Sequence, residues 1–143
     1  MNKIILSTAL ILFSITSYSQ VLSFEDIKVI DSKDAFEKTM IENGFKNDSD
    51  ISDENFAIYR YPEKTRWDIS TFFVVPKKTF FFQFQNDEDY NSIFDDVKES
   101  CGFYEIMKSA TGYSMSCYTC PGSKYPGKLC FGNLSIENII PEN

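Results

Sequence analysis

Four cysteines are the residues of this sequence whose type and spacing suggest chemistry most directly. Cys117 and Cys120 form a Cys-x-x-Cys pair within the stretch SCYTCPG, and Cys101 and Cys130 lie on either side of it. A redox centre needs such a pair at the N-terminus of a helix, where the dipole lowers the thiol pKa, but the Pro-Gly that follows favours a turn. A structural zinc site needs four ligands, usually as two close pairs or with histidine, and only one close pair exists. We therefore interpret the cysteines as structural.

The spacing of the pair also bears on its partners. In a strand, Cys117 and Cys120 point to opposite faces because their separation is odd, so they are poor partners for each other. We expect one of them to pair with Cys130 across a hairpin and the other with Cys101 at the end of a helix. An even number of cysteines in an exported chain favours disulfides, but sequence leaves three pairings open. One disulfide with two buried thiols is the alternative.

Catalytic chemistry is restricted because the chain contains no histidine. That excludes Ser-His-Asp and Cys-His nucleophiles and every histidine-based metal site. Carboxylates remain, most densely in the stretch NDSDISDEN at residues 47–55, which begins like a calcium loop. It lacks the mid-loop glycine, and the twelfth position counted from Asp48 is Tyr59 rather than glutamate. We interpret the stretch as a solvated acidic loop and predict no metal and no cofactor.

The N-terminal residues have the layout of a secretory signal peptide. Lys3 precedes an apolar run from Ile4 to Ile15, and Ser17 and Ser19 supply small residues before a cleavage site. We expect cleavage after Ser19, which leaves residues 20–143 as a single secreted or periplasmic domain. The apolar run is shorter than the roughly 20 residues of a membrane span. We therefore expect no membrane insertion after the leader is removed.

Charge and composition restrict the partners of the exported domain. Without the one lysine of the leader, the chain has 13 basic and 21 acidic residues, a net charge of −8. An acidic chain without a basic stripe does not suit nucleic acid, because phosphate binding depends on Lys and Arg. The expected partner is an unknown protein or small ligand. The full chain has 14 Phe and 8 Tyr, of which only Phe13 and Tyr18 lie in the leader, and the others are enough to build a large core.

Two segments of similar sequence predict the helices. FEKTMIENGF (Phe36–Phe45) and FDDVKESCGF (Phe94–Phe103) align without gaps, and each ends in Gly-Phe. Gly44 and Gly102 suit the left-handed residue that follows a helix. Good helix starts lie upstream of each segment: Asp31 or Ser32 can cap the first helix, and the run Asn-Asp-Glu-Asp at residues 86–89 places carboxylates at the start of the second.

Strand patterns follow each helix and set the expected fold. TFFFQFQ places Phe80, Phe82 and Phe84 on one face, which is typical of a central strand with one face under helices. With a short strand near residues 24–30, the pattern predicts an α+β fold, an antiparallel sheet with two helices on one face. Residues 31–85 and 86–140 are candidate half-repeats of a helix plus three strands, and a chance similarity of the two helix ends is the alternative. This order of elements resembles tandem-repeat folds such as the β-lactamase-inhibitor-protein type, in layout alone.

Five aromatic residues lie on or beside the predicted strands and turns and are candidates for a partner-binding surface, because Tyr and Trp are favoured interface anchors. They are Tyr59, Tyr61, Trp67, Tyr118 and Tyr125. Core packing is the alternative for them. The sequence favours a non-enzymatic binding or inhibitory module, without excluding an enzyme. The alternatives are a small carboxylate-based hydrolase and a structural component of the cell envelope.

Overall fold

The protein consists of three helices and eight strands over the part of the chain that the computed structural model describes, residues 22–61, 70–84, 87–109 and 111–140. The predicted signal peptide and its cleavage site lie outside the described residues. The helices are α1 (Phe24–Lys28), α2 (Lys33–Glu42) and α3 (Asp87–Ser100). The strands are β1 (Lys46–Asn47), β2 (Phe56–Arg60), β3 (Ser70–Val74), β4 (Thr79–Gln83), β5 (Gly102–Lys108), β6 (Ser114–Thr119), β7 (Lys128–Gly132) and β8 (Ser135–Ile139).

All eight strands form one antiparallel sheet in the order β1-β2-β3-β4-β8-β7-β6-β5. The first four strands are a meander, the last four are another, and the two meet where β4 pairs with β8. This confirms the α+β class with an antiparallel sheet, and β4 lies at the centre as its apolar sequence predicted. The sheet is larger than expected, since four strands rather than three follow α2 and α3 in the described residues.

The predicted strand near residues 24–30 is wrong, because the chain forms α1 there. Ser23 caps this helix: its hydroxyl accepts a hydrogen bond from the Asp26 N–H at 3.2 Å, and the Asp26 carboxylate accepts one from the Ser23 N–H at 2.9 Å. This reciprocal pair is a capping box, which satisfies two N–H groups that a helix start otherwise leaves unpaired. Phe24 and Ile27, three residues apart, then bury the same helix face.

The start and end of α2 agree with the prediction from its sequence. The Ser32 hydroxyl accepts a hydrogen bond from the Ala35 N–H at 3.3 Å. At the other end Gly44 has a φ of +83°. The Gly44 N–H donates to the Ile41 carbonyl at 3.0 Å and the Phe45 N–H donates to the Met40 carbonyl at 2.9 Å, which together make a Schellman motif.

The end of α3 differs from the prediction. Gly102 is not left-handed; it is the first residue of β5 and pairs with Thr119 of β6. The helix ends at Ser100, and Cys101 connects it to the strand. A disulfide from Cys101 to Cys120 holds this junction against the end of β6, so the chain enters the sheet without a left-handed turn.

One buried cluster contains side chains from all three helices and from one face of the sheet, which we call the helix side. Phe36 of α2 lies at its centre: its ring centroid is 5.5 Å from that of Phe73 and 6.0 Å from that of Phe82. In the other half, the Phe94 ring of α3 is 4.8 Å from that of Phe131. Large aromatic rings therefore fill the space between helices and sheet.

A buried asparagine joins the two halves of the sheet on this side. Asn138 is 2% exposed. Its side-chain oxygen accepts from the Phe80 N–H at 2.7 Å, and its side-chain nitrogen donates to the carbonyls of Lys78 at 3.0 Å and Pro126 at 2.9 Å. The β4–β8 ladder covers Phe81–Gln83 only, so Asn138 supplies the hydrogen bonds where the ladder ends.

Candidate binding face

The sheet face opposite the helix side is different in character, and we call it the open face. Paired residues place one row of side chains across it, strand by strand: Ile58, Phe72, Phe81, Glu137, Cys130, Cys117 and Glu105. None of these belongs to the cluster under the helices. The row therefore runs from an aromatic half, through a central carboxylate, to a disulfide.

The aromatic half of the row is a set of three half-buried phenylalanines on neighbouring strands. The rings of Phe72 and Phe81 are stacked, with centroids 5.1 Å apart and planes inclined at 16°. Phe56 continues the set, with its centroid 5.4 Å from that of Phe72. Stacked rings on a sheet surface present a flat apolar area, of the kind that binds another apolar group.

Glu137 lies in the middle of the open face, directly between Phe81 of β4 and Cys130 of β7. Burial among these neighbours raises the pKa of its carboxyl. Its carboxylate has no hydrogen bond and no ion pair within the described residues. A half-buried carboxylate without a partner keeps its acceptor sites for a ligand, since burying a charge costs free energy unless it is paired.

A cavity of about 170 Å³ adjoins this carboxylate. Phe81, Met115 and Glu137 line its floor, and residues of the β5–β6 turn, Ser109 and Tyr113 among them, line its rim. A Cβ at Gly132 would lie 2.7 Å from the Met115 Cγ, so a larger residue there would displace the Met115 side chain. The cavity thus combines one aromatic wall, one flexible thioether and one carboxylate.

The two disulfides confirm the prediction from the cysteine spacing, because each cysteine of the Cys-x-x-Cys pair has a separate partner. Cys117 is bonded to Cys130, its direct neighbour across the β6–β7 hairpin, and Cys120 is bonded to Cys101 at the end of α3. The first pair packs with Met115, Met107 and Ile139 in a small cluster made of strand residues. All four cysteines are therefore bonded.

The aromatic residues proposed from the sequence as partner anchors lie elsewhere. Tyr59, Tyr118 and Tyr125 are buried on the helix side at 3%, 8% and 5% exposure. Tyr61 packs against the same core, with its ring 5.4 Å from that of Phe45. Trp67 lies outside the described residues. Their role as partner anchors stays a prediction, and we place the candidate surface on the open face.

Burial has a measurable effect on Tyr125, whose pKa it raises to about 12. Its ring packs edge-on against Phe80 at 5.5 Å. The Tyr125 hydroxyl makes no hydrogen bond within the described residues. The nearby Ser123 side chain lowers the pKa of Tyr125 and so offsets part of the effect of burial.

The acidic loop at residues 47–55 is held by its neighbours in the sheet. Asp48 accepts a hydrogen bond from the Arg60 Nε at 2.6 Å, and the Asp53 carboxylate accepts one from the Asn55 N–H at 2.7 Å. Within the described residues no three acidic or cysteine side chains come close enough together to hold a metal ion.

The sequence contained a partial signal for the open face. Alternation in TFFFQFQ assigns Phe81 to the face opposite Phe80 and Phe82, and the same holds for Phe72 in STFFVV. Glu137 carried no signal, because nothing local indicates that β8 pairs with β4 in the register that brings it beside Phe81.

Comparison with known proteins found no relationship: no family model, no curated protein and no solved structure matches the chain. In the described part of the chain no helix is both long and apolar enough to span a bilayer. The fold and the site therefore define a disulfide-bonded α+β protein, and its function has to be argued from the open face.

Proposed function

We propose that this chain is an exported, non-enzymatic binding or inhibitory module, and that the open face is its binding surface. The observation that carries the proposal is the position of Glu137. A carboxylate without a partner lies at the centre of an apolar row, between the stacked rings of Phe72 and Phe81 and the Cys117–Cys130 disulfide. Such a combination suits a ligand with an apolar part and a hydrogen-bond donor.

The size of the cavity favours a single side chain of a protein partner. Pockets for drug-sized ligands measure roughly 300–1,000 Å³. A cavity of about 170 Å³ is nearer to one that holds a benzene ring. A partner that inserts one side chain here and covers the rings of Phe56 and Phe72 with its surface would use the whole face.

The chemistry of the cavity favours a Lys or Arg side chain. Its aliphatic stem would pack against Phe81 and Met115, and its charged head would reach Glu137. The net charge of −7 for the full chain attracts a basic partner in addition. A basic surface of another protein is therefore the partner class that we propose.

A titration monitored through methionine methyl groups tests this assignment. The exported domain has Met40 in the core, Met107 in β5 and Met115 in the cavity. With ¹³C-methyl methionine and N-acetylarginine amide as the probe, we expect the Met115 signal to shift while that of Met40 stays in place. Glu137→Gln should abolish the shift.

Glu99→Gln is the matched control, because it removes an exposed carboxylate from α3 on the other side of the sheet. Its titration should equal that of the wild type. An unmoved Met115 signal in the wild type, or an equal loss of binding in both variants, contradicts the assignment of a basic ligand to this cavity.

The alternative of a carboxylate-based hydrolase has one observation in its favour, the raised pKa of Glu137, since a general acid must be protonated. Glycoside hydrolysis uses two carboxyl groups about 5–10 Å apart. Glu137 is the one carboxylate among the described residues that line the cavity. Turnover of glycoside substrates that is lost in Glu137→Gln would favour the hydrolase over the binding module.

Export is part of the proposal and has separate support. The leader has the layout of a signal peptide, and two disulfides fit an extracellular or periplasmic location. N-terminal sequencing of the exported protein should begin at Gln20. A mature protein that retains residues 1–19 would contradict cleavage after Ser19.

We also infer that the domain arose as a tandem repeat with α2 and α3 on the same face. The support is the element order, a helix followed by four strands in each half, and a sheet order that reads symmetrically outward from β4 and β8. Residues 31–85 should superpose on residues 86–140 in an experimental structure, strand for strand. A superposition that requires a different strand order would remove this inference.

A further inference from the structure

Lys128 is a close neighbour of Glu137 in the register of the sheet, yet its side chain points the other way. On β7 and β8, Lys128 pairs with Ile139 and Cys130 pairs with Glu137. Lys128 is therefore a diagonal neighbour of Glu137 on the open face, at about 7–8 Å, within reach of a long side chain. Of the side chains that flank Glu137 on this face in the described strands, Lys128 alone carries a charge. The two nevertheless form no ion pair.

Two groups on the neighbouring strands hold the Lys128 side chain away from β8. Its Nζ donates to the Thr119 hydroxyl of β6 at 3.0 Å and lies 3.8 Å from the centroid of the Tyr104 ring of β5. An ammonium group over the face of a tyrosine is attracted by the quadrupole of the ring. The side chain thus extends from β7 across β6 to β5, in the direction opposite to Glu137 on β8.

A β-bulge in β5 gives Tyr104 this position. The register of β5 against β6 shifts between Phe103 and Glu105, so Tyr104 is the extra residue. Strict alternation would place Tyr104 and Glu105 on opposite faces, but a bulge re-aims the side chain of the extra residue. Lys128 lies two residues from Cys130 and so on the open face, and its contact with the Tyr104 ring places that ring on the open face as well.

We propose that Tyr104 and Thr119 are positioning residues of the binding site, because they hold Lys128 away from Glu137 and so keep this carboxylate available to a basic ligand. The inference rests on the binding function proposed above and supplies the reason why Glu137 has no partner. A released Lys128 could turn to Glu137 and occupy the position of the ligand's charged head. The held arrangement combines two interactions, whereas pairing with a half-buried carboxylate at the surface offers a single ion pair, which water weakens.

The pKa of Glu137 tests the inference without any ligand. It is read from the ¹³C shift of the side-chain carboxyl during a pH titration of the exported domain, with Glu137→Gln to assign the signal. We call Tyr104→Leu combined with Thr119→Val the released variant, since it removes both groups that hold Lys128. Burial raises the pKa of Glu137 in the wild type. In the released variant this pKa should fall toward the ordinary value of a glutamate, because a nearby opposite charge favours the ionised form.

Two further variants separate the lysine from general changes of the surface. Lys128→Met, added to the released variant, should return the pKa of Glu137 to its wild-type value. Tyr104→Phe combined with Thr119→Ser is the matched control, since a phenyl face still attracts the ammonium group and a serine hydroxyl still accepts its hydrogen bond. An unchanged pKa of Glu137 in the released variant, a fall that persists after Lys128→Met, or an equal fall in the matched control overturns the inference.

Titration with N-acetylarginine amide measures the consequence for binding. If the released Lys128 pairs with Glu137 for about two thirds to nine tenths of the time, the apparent dissociation constant rises about three- to tenfold, because only the unpaired fraction binds. The Met115 methyl signal of the released variant should therefore respond at higher probe concentrations, and Lys128→Met should restore the wild-type curve. Equal curves for the wild type and the released variant overturn the inference. A wild-type signal that does not move contradicts the basic ligand instead, and the pKa of Glu137 then decides the role of Tyr104 and Thr119.

Discussion

Replacement of Asn138 is the perturbation for which the structure gives the most definite expectation. This side chain is 2% exposed and makes three hydrogen bonds to backbone groups of Lys78, Phe80 and Pro126. Lys78 and Phe80 belong to the β3–β4 hairpin, and Pro126 belongs to the loop before β7. A single amide therefore bonds to backbone groups that are 12 to 60 residues away from it in sequence. Asn138→Ala removes all three bonds at once.

The expected loss follows from what happens to each partner. Phe80 is 1% exposed, so its N–H stays without a partner, at a cost of about 1–3 kcal/mol. The carbonyls of Lys78 and Pro126 lie on exposed and half-buried residues, so water can replace Asn138 there, and each lost bond costs about 0.5–1.5 kcal/mol. Together the free energy of unfolding should fall by roughly 2–6 kcal/mol.

A second substitution separates the hydrogen bonds from the loss of volume. Asn138→Asp keeps an acceptor for the Phe80 N–H but points its other oxygen at two carbonyls. Its loss of unfolding free energy relative to the wild type should be large at neutral pH and should shrink as pH falls, because a protonated carboxyl regains one donor. The deficit of Asn138→Ala should not change with pH.

Urea unfolding with the disulfides intact measures both effects, read as a shift in midpoint at constant m-value. Asn91→Ala, an exposed asparagine of α3, is the control and should change the free energy of unfolding by less than about 0.5 kcal/mol. If Asn138→Ala loses less than about 1 kcal/mol, or if the deficit of Asn138→Asp is the same from about pH 4 to 8, the bonds to Asn138 do not stabilise the fold as described.

Three further predictions concern the site and its supports. Replacing both cysteines of the Cys117–Cys130 disulfide by alanine should lower the free energy of unfolding by about 3 kcal/mol, and so should replacing those of the Cys101–Cys120 disulfide, since the sequence separations of 13 and 19 are similar. Only the first replacement should alter the Met115 methyl signal, and equal changes of that signal in both variants would contradict the position of the Cys117–Cys130 disulfide beside the cavity. Gly127→Ala should destabilise strongly or prevent folding, because φ is +82° and a Cβ would overlap the Ile139 carbonyl; near-normal urea unfolding of this variant would refute the close approach. Glu137→Gln should stabilise the protein, because burial raises the pKa of this carboxyl in the folded state and its ionisation therefore favours unfolding. The gain should grow as pH rises from the unfolded-state pKa to the folded-state pKa, and a pH-independent difference in unfolding free energy between variant and wild type would show that Glu137 is not desolvated.

Local patterns predicted the parts of the fold that depend on near neighbours. The cap at Ser32, the left-handed Gly44 and the buried face of β4 agree with the sequence, because capping and strand alternation act over a few residues. Even the separate partners of Cys117 and Cys120 followed from the odd spacing in a strand.

Errors arose where a short pattern had two solutions. Residues 24–30 contain β-branched residues that favour a strand, but the reciprocal bonds of Ser23 and Asp26 favour a helical turn. Gly102 follows a helix and suits a left-handed end, yet pairing with Thr119 and the neighbouring disulfide hold it extended. At residues 24–30 a local cap decided the backbone conformation, and at Gly102 pairing with a distant strand decided it.

The sequence by itself determined the α+β class, the use of cysteines as disulfides and the assignment of alternate phenylalanines to two faces. Tertiary structure alone decided which residues meet on the open face. Glu137 lies beside Phe81, which is far from it in sequence, because β8 pairs with β4 in one particular register. Registers of this kind are set by the packing of the whole sheet against its helices, and a slip of one residue would move every side chain to the other face. The candidate site therefore follows from long-range pairing that no local pattern contains.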